Sequence, residues 1–131
     1  MATRNTRLFT DLDLNFQPHP ATKDIGVKND EQAVKASIRN LVMTTNYERP
    51  FHPEIGSPLK ALLFENATPL LPILIERAIR QTIENFEPRA NLTRVTADLS
   101  EDTNSVYVTV EFKILNTATP QVVTLILNRT R

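Results

Sequence analysis

The clearest pattern of apolar and polar positions has a period of two and lies in the last third of the chain. Over residues 106–114, one face carries Val106, Val108, Val110, Phe112 and Ile114, and the other carries Tyr107, Thr109, Glu111 and Lys113. Such alternation is typical of a strand with one buried face. Similar segments flank it at 93–99 and 122–127, across turn-forming residues at 101–104 and 116–120. The pattern predicts an antiparallel meander of three strands.

Helical periodicity appears before this sheet. Apolar positions three and four residues apart predict a helix over residues 31–43, with Asn29 or Asp30 as its N-cap. The next segment, residues 44–58, cannot continue the helix, because prolines lack the amide proton and clash with the preceding turn. We therefore expect an ordered loop, and its proline and glycine positions are Pro50, Pro53, Gly56 and Pro58.

Two further helix starts follow the loop. Ser57-Pro58 and Thr68-Pro69 each place a capping hydroxyl before a proline in the first helical position. We expect one short helix after the first signature and a longer one after the second. Pro88 should end the longer helix.

An N-terminal strand is predicted over residues 11–16, where Leu12, Leu14 and Phe16 alternate with polar residues. The predicted fold class is α+β: this strand and three helices pack on one face of a mostly antiparallel sheet, which ends in the C-terminal three-strand meander. We read residues 1–131 as a single domain, since the chain shows no repeat, linker or low-complexity tract.

The composition of the chain argues against several classes of partner and of chemical site. A formal net charge of +0 gives no field for binding phosphate backbones, so we expect no nucleic-acid partner. No apolar run approaches the length of a membrane span, so we expect no membrane contact and a soluble, cytoplasmic chain. The absence of cysteine removes disulfides, thiolate nucleophiles and zinc–thiolate sites. His19 and His52 lie apart in loops, and Gly26 and Gly56 are isolated, so we expect no metal site, no catalytic triad, no phosphate loop and no cofactor.

A run in the loop and a triplet before the sheet resemble a known family. The triplet is Glu87-Pro88-Arg89, and the run is Arg39-x-Leu41-x-x-Thr44-x-x-Tyr47-Glu48-Arg49-Pro50-Phe51-x-Pro53-x-x-Gly56-x-x-Leu59. With the length and order of elements, they resemble the baseplate wedge or sheath-initiator family of contractile phage tails, whose relatives serve the type VI secretion baseplate. The likeness covers nearly the whole chain and departs from the family at Tyr47, where glycine is commoner.

The resemblance implies a structural subunit of the baseplate that is not an enzyme. Such a subunit packs beside other wedge proteins and presents a sheet like that of the sheath subunit, so it templates the first sheath ring by strand addition. The implied partners are other baseplate wedge proteins, the tail sheath protein, and the tail tube or hub. The implied location is the tail baseplate of the virion, assembled in the host cytoplasm.

Partner-binding candidates in the loop region are Arg39, Glu48, Arg49 and Phe51. An internal role stays open for the two arginines, which would then anchor loop carbonyls or pair with Glu48 or Glu54. Both roles are compatible, because a loop stiffened internally loses less entropy on docking.

The triplet supplies the candidates Glu87, Pro88 and Arg89. One interpretation is a helix stop with two solvated charges. The other is a turn that points both charges at a partner or clamps the last helix onto the sheet. We expect Arg49 and Arg89 to matter for assembly more than for folding.

The last strand supplies the candidates Val122, Thr124 and Ile126. This segment is apolar on both faces, which implies a second cover, and we expect its outer edge to receive a strand from the sheath protein. The alternative is that the N-terminal strand pairs there and closes the edge.

Two other functions remain open. Some members of the resembled family have been described as lysozymes, and a muramidase would need two carboxylates in distinct environments. The candidates are Glu48, Glu54, Glu84 and Glu87, and the requirement is poorly met, because Glu48 and Glu87 each lie near an arginine that favours the ionised form. A protein-binding adaptor of similar fold, outside any phage context, is the third class.

Overall fold

The computed structural model describes residues 9–115, 117 and 119–129 of the chain. Within them the elements are, in chain order, β1 (Thr10–Leu12), β2 (Val27–Asn29), α1 (Asp30–Met43), α2 (Leu59–Phe64), α3 (Leu71–Phe86), β3 (Ala90–Ser100), β4 (Ser105–Ile114) and β5 (Pro120–Asn128). The predicted α+β class is confirmed, and so is the C-terminal meander of three strands.

The meander has the order β3–β4–β5, with both strand pairs antiparallel. Its first turn joins Ser100 to Ser105, which face each other across the pair, and a bulge interrupts the register between Leu92 and Arg94. The central strand β4 buries the alternating face that the sequence predicts. The sheet is therefore one-sided, with helices on the face that the apolar residues of β4 present.

Helices α1 and α3 supply the other half of the core. Helix α3 lies against β3, and α1 lies against α3 and also reaches β5. Removing one large aliphatic side chain from water contributes about 1.5–3 kcal/mol, so the apolar side chains buried between the helices and the sheet provide most of the stability of this fold. The helical residues among them are Val34, Ile38, Val42, Leu71, Ile75, Ile79 and Ile83.

The predicted N-terminal strand, residues 11–16, is wrong in its length. The extended segment ends at Leu12, and a turn follows in which the Phe16 amide donates to the Asp13 carbonyl at 3.1 Å. Strand β1 pairs with β2 in a separate two-stranded sheet rather than with the meander. Leu14 is exposed, as are its two apolar neighbours in the alternating pattern, so the period of two does not correspond to burial here.

The longer helix begins later than Thr68-Pro69 predicts. A helix with Pro69 in its first position would require an amide from Pro72, which has none, and the proline ring would clash with the Thr68 carbonyl. Instead the Leu71 amide donates to the Thr68 carbonyl at 3.0 Å, and Leu70 is the N-cap. Pro72 thereby falls in the first turn, where its missing amide proton is harmless.

The predicted capping side chains serve other purposes. Asn29 is the N-cap of α1, yet no side-chain cap bond forms at any helix among the described residues. The Asp30 carboxylate accepts a bond from the Phe9 amide at 3.1 Å. Ser57 donates its hydroxyl to the Val42 carbonyl at 2.7 Å, and α2 begins one residue after Pro58. Across the described part of the chain, no helix is both long and apolar enough to cross a bilayer.

Candidate functional site

The segment between α1 and α2, residues 44–58, is an ordered loop braced from within. The Ser57 amide donates to the Thr44 carbonyl at 2.8 Å, and the Tyr47 amide donates to the Pro53 carbonyl at 2.9 Å. Gly56 packs so closely that a Cβ atom there would lie 2.9 Å from backbone atoms of Thr44 and Thr45. The loop is therefore a rigid platform on the end of α1.

Two aromatic residues stand at the tip of this platform. Tyr47 is 85% exposed and Phe51 is 96% exposed. Both have positive φ, at 68° and 66°, a region that non-glycine residues enter only at a cost of about 1–3 kcal/mol. At position 47 glycine would adopt this φ without strain. The loop exposes two aromatic rings to solvent on a strained backbone, which is typical of a surface that contacts a partner.

The charged residues of the loop region have different surroundings. The Glu48 carboxylate accepts a hydrogen bond from the Thr45 amide at 2.9 Å, which lowers its pKa. The side chains of Arg39 and Arg49 are exposed and form no hydrogen bond or ion pair with any residue that the structure describes. Glu54 instead pairs with His52 at 3.1 Å. Among the described residues, neither arginine therefore anchors a loop carbonyl or pairs with Glu48 or Glu54.

The triplet after α3 forms an internal ion network. Glu87 is only 2% exposed, and Arg89 donates to it from Nε at 2.7 Å and from Nη2 at 2.9 Å. The same guanidinium donates to both carboxylate oxygens of Asp11, each at 3.2 Å. It also lies 5.6 Å from the ring centroid of Phe9. The two triplet charges are therefore not solvated, and Arg89 ties the end of α3 to β1.

The network sets the charge state of Glu87. Burial by itself raises the pKa of this carboxyl, but hydrogen bonds from Arg89 and Ser37 and the positive charge of Arg89 outweigh it. The net effect lowers the pKa of Glu87 below its ordinary value. The bidentate hydrogen bond to Glu87 in turn raises the pKa of Arg89 further above its ordinary value. The pair is thus fully ionised near neutrality.

Strand β5 lies at an edge of the meander within the described residues, since β4 is its partner on one side only. Val122, Thr124 and Ile126 are exposed on its outer face, while Leu125 and Leu127 are buried on its inner face. The alternative considered from the sequence, closure of this edge by the N-terminal strand, does not occur among the described residues, because β1 pairs with β2. An edge strand with unpaired amides and carbonyls is a template for strand addition.

One groove brings several of these residues together. It has a volume of about 1310 Å³ and runs between β1, α1, the loop and the start of β5. The predicted residues Arg39, Glu48, Arg49 and Val122 line it. The remaining predicted residues, Phe51, Glu87, Pro88, Arg89, Thr124 and Ile126, lie outside its lining. The partner-binding role of both sets stays a prediction.

The carboxylates considered for glycoside cleavage lie in unsuitable surroundings. A general acid requires a raised pKa. Hydrogen bonds from backbone amides lower the pKa of Glu48 and of Glu54, and the Arg89 pair lowers that of Glu87. Each of these groups therefore favours the ionised form. This is the opposite of what the acid role needs.

The remaining candidates for chemistry make local contacts. Glu84 forms a surface pair with Arg80 at 3.7 Å. The His19 ring accepts from the Ala21 amide at 3.3 Å within its own turn. In the portion of the chain that the structure describes, no three acidic or histidine side chains gather where they could hold a metal ion.

Sequence reasoning missed three residues of this region. Asp11 contacts Arg89 across 78 positions of sequence, a separation that leaves no local signal. Tyr47 was part of the motif, but its exposure depends on the folded loop. Lys35 could have been found, because it lies four residues before Arg39 on one face of a predicted helix and lines the same groove.

Comparison with known proteins places these features in context. Residues 28–119 match the family model described as baseplate wedge protein gp25. The chain is 30% identical over 110 residues to baseplate wedge protein gp25 of Enterobacteria phage T4, and the alignment covers 84% of this chain and 83% of that protein.

Solved structures with the same fold come from three settings. A protein of Geobacter sulfurreducens described as a candidate tail lysozyme superposes with a TM-score of 0.71 at 24% identity, covering 77% of this chain and 92% of that one. A chain of the anti-feeding prophage baseplate gives 0.65 at 21% identity, covering 94% and 87%. A chain of the type VI secretion baseplate complex gives 0.63 at 13% identity, covering 75% and 93%.

Proposed function

The chain belongs to the baseplate wedge protein gp25 family, and from this premise we propose that it is a structural wedge subunit of a contractile tail whose β5 edge templates the first ring of the tail sheath. The observation that carries the proposal is the edge itself. In the described residues β5 has one strand neighbour, and its outer face exposes Val122, Thr124 and Ile126. A sheath strand that pairs there would extend the meander by one strand.

Packing against other wedge proteins is assigned to the loop and to the triplet region. Phe51 and Tyr47 offer two rigid apolar anchors at the loop tip, and buried aromatic anchors carry much of the energy in protein interfaces. Pro88 is exposed, and Arg89 retains some exposed surface beside it. These groups can contact a neighbour while Glu87 stays buried.

The location and remaining partners follow from the same proposal. The protein assembles in the host cytoplasm and resides in the tail baseplate of the virion, with other wedge proteins, the sheath protein and the tail tube or hub as neighbours. Nucleic acid and membrane are not among its partners. The balanced charge of the chain, +0, agrees with this assignment.

The proposed role does not involve catalysis. The relative described as a candidate tail lysozyme shares the fold at 24% identity, which carries no information on activity. In this chain the pKa values of Glu48, Glu54 and Glu87 are lowered, whereas an acid catalyst needs a raised one. Peptidoglycan cleavage above a buffer control, abolished by replacing one of these glutamates with glutamine, would contradict the proposal.

Assembly with the sheath protein tests the template role. Successive amides of an edge strand point alternately to the neighbouring strand and outward. One of the variants Val123→Pro and Thr124→Pro should therefore leave the sheet intact and remove an outward amide. We expect that folded variant to join wedge complexes and to support no sheath ring by electron microscopy. Normal rings with both variants would rule out strand addition at this position.

A further inference from the structure

The groove described above lies along the outer edge of β5. Val122 and Val123 are consecutive and face opposite sides of the sheet, yet both line the groove. Because consecutive strand residues point to opposite faces, a groove lined by both reaches β5 at its edge, here near the start of the strand. Its volume, about 1310 Å³, exceeds the roughly 300–1,000 Å³ typical of small-molecule pockets. Its place and size suit an extended peptide segment.

Helix α1 forms another wall of the groove and also contacts β5. The residues of α1 that line the groove include Gln32, Lys35, Ala36, Arg39 and Asn40. Their spacing of three and four residues puts them in one stripe along the helix, beside the apolar stripe that faces the core. A segment that lies along this stripe of α1 and reaches the edge of β5 would thus meet polar helix side chains and the backbone groups of an edge strand.

The charge of the groove is predominantly positive. Its charged lining residues are Lys28, Lys35, Arg39, Arg49, Asp11 and Glu48. Both carboxylates are already engaged, Asp11 by Arg89 and Glu48 by the Thr45 amide. Among the cations, Lys28 pairs with Asp13 at 3.2 Å.

Three cations of the lining remain without a carboxylate partner in the part of the chain described. They are Lys35 and Arg39, one helical turn apart on α1, and Arg49 at the end of the groove. Unpaired cations that converge on one groove favour an anionic occupant.

The flanking segments of the same chain do not match this charge. Residues 1–8 carry Arg4 and Arg7 and no acidic residue, and residues 129–131 carry Arg129 and Arg131 and no acidic residue. Both segments would bring like charge to Lys35 and Arg39. The charge of the groove therefore favours an occupant from another protein.

We propose that this groove binds an extended acidic segment of a partner protein, which pairs with the edge of β5 and places carboxylates against Lys35 and Arg39 of α1. The inference rests on the proposed function for the identity of the strand donor, and it adds a charge requirement to that donor. Specificity for the correct strand then comes from α1, because backbone pairing along β5 accepts many sequences.

Binding of two matched synthetic peptides to the full chain tests the proposal. The peptides have the same strand-forming sequence and differ only in carrying glutamate or lysine at the same positions. Two exposed ion pairs acting together should make the acidic peptide bind at least about ten-fold more tightly, with the difference shrinking as salt is added. The double variant Lys35→Glu/Arg39→Glu should remove or reverse this preference. The matched control Arg77→Glu/Lys113→Glu, with the same charge change at exposed residues outside the groove, should keep it.

Three results would overturn the charge requirement. The two peptides could bind equally, or the acidic peptide could fail to bind at about 1 mM. The preference for the acidic peptide could also survive Lys35→Glu/Arg39→Glu. Its failure and that of the proposed function are distinguishable. If the sheath protein still protects β5 while the peptides show no charge preference, only the acidic occupant is wrong. If the acidic peptide binds as expected and the sheath protein does not, the groove assignment stands and the template role fails.

Discussion

Arg89 holds the buried carboxylate of Glu87 through two hydrogen bonds, from Nε to Oε1 at 2.7 Å and from Nη2 to Oε2 at 2.9 Å. The two residues flank Pro88, which fixes the turn between α3 and β3. The same guanidinium reaches Asp11 of β1 at 3.2 Å. The Arg89 side chain therefore connects the end of α3, the start of β3 and strand β1.

Replacing Arg89 with alanine should destabilise the isolated protein by about 3 kcal/mol, because it leaves the buried Glu87 without its counter-charge. Urea unfolding measures the loss. The control is Arg80→Ala, which breaks a surface pair of 3.7 Å and should change stability by less than about 1 kcal/mol. Equal midpoints for the two variants would mean that the network contributes nothing to folding. The sequence led us to expect that Arg89 matters more for assembly than for folding, and the burial of Glu87 is the reason to expect a contribution to folding as well.

Acid should weaken the fold through Glu87. Its pKa is lowered in the folded state, so the unfolded chain binds the proton more readily, and stability falls as pH drops below the ordinary value of 4.5. Above that pH the contribution is complete. Unfolding of the wild type and of Glu87→Gln, measured across this range, isolates the effect, since the variant lacks the titrating group. A stability difference between the two proteins that does not change with pH would contradict the assignment.

Gly56 should tolerate no side chain. Its φ is 146°, and an added Cβ would lie 2.9 Å from the Thr44 carbonyl oxygen, so Gly56→Ala should cost more than the roughly 1 kcal/mol of an ordinary glycine replacement. Gly26→Ala is the matched control, because its nearest neighbour would lie at an ordinary 3.5 Å. Thermal unfolding should separate the two variants clearly. Similar melting temperatures would show that the loop relaxes around the added methyl group.

Phe51 should matter for assembly and not for folding. The ring is 96% exposed, so Phe51→Ala should change the free energy of unfolding by less than about 0.5 kcal/mol. The same variant should lose most of its co-purification with wedge proteins, since an exposed aromatic anchor gains its burial only in the complex. Ile73→Ala, an exposed apolar residue of α3 outside the loop sequence, is the control. Undiminished co-purification of Phe51→Ala would remove the loop tip from the interface.

The sequence predicted the meander well and the N-terminal part poorly, for a physical reason. Strand β4 alternates over its full length because one of its faces is buried, so its pattern reports burial directly. The alternation of Leu12 and Leu14 has no such cause, since both are exposed. A pattern of period two predicts a buried strand only where other elements cover one face.

The residues of the candidate site also differ in how far the sequence predicts their positions. Arg39 and Lys35 share a helix face that spacing alone predicts. The link between Asp11 and Arg89 joins residues 78 positions apart, and it depends on how the β1–β2 pair packs against α1. The start of α3 is an intermediate case, because the sequence offers two helix starts, Thr68-Pro69 and Leu70, and only the second keeps Pro72 in the first turn.

Hydrogen exchange along β5 tests the template role most directly. In the isolated chain, the amides of residues 122–127 that point away from β4 should exchange quickly, while their neighbours bonded to β4 exchange slowly. Adding the sheath protein should slow the fast set and leave the interior amides of β4 unchanged. Slow exchange at every amide of this segment in the isolated chain, unaltered by the sheath protein, would mean that the edge is already occupied and would contradict the account.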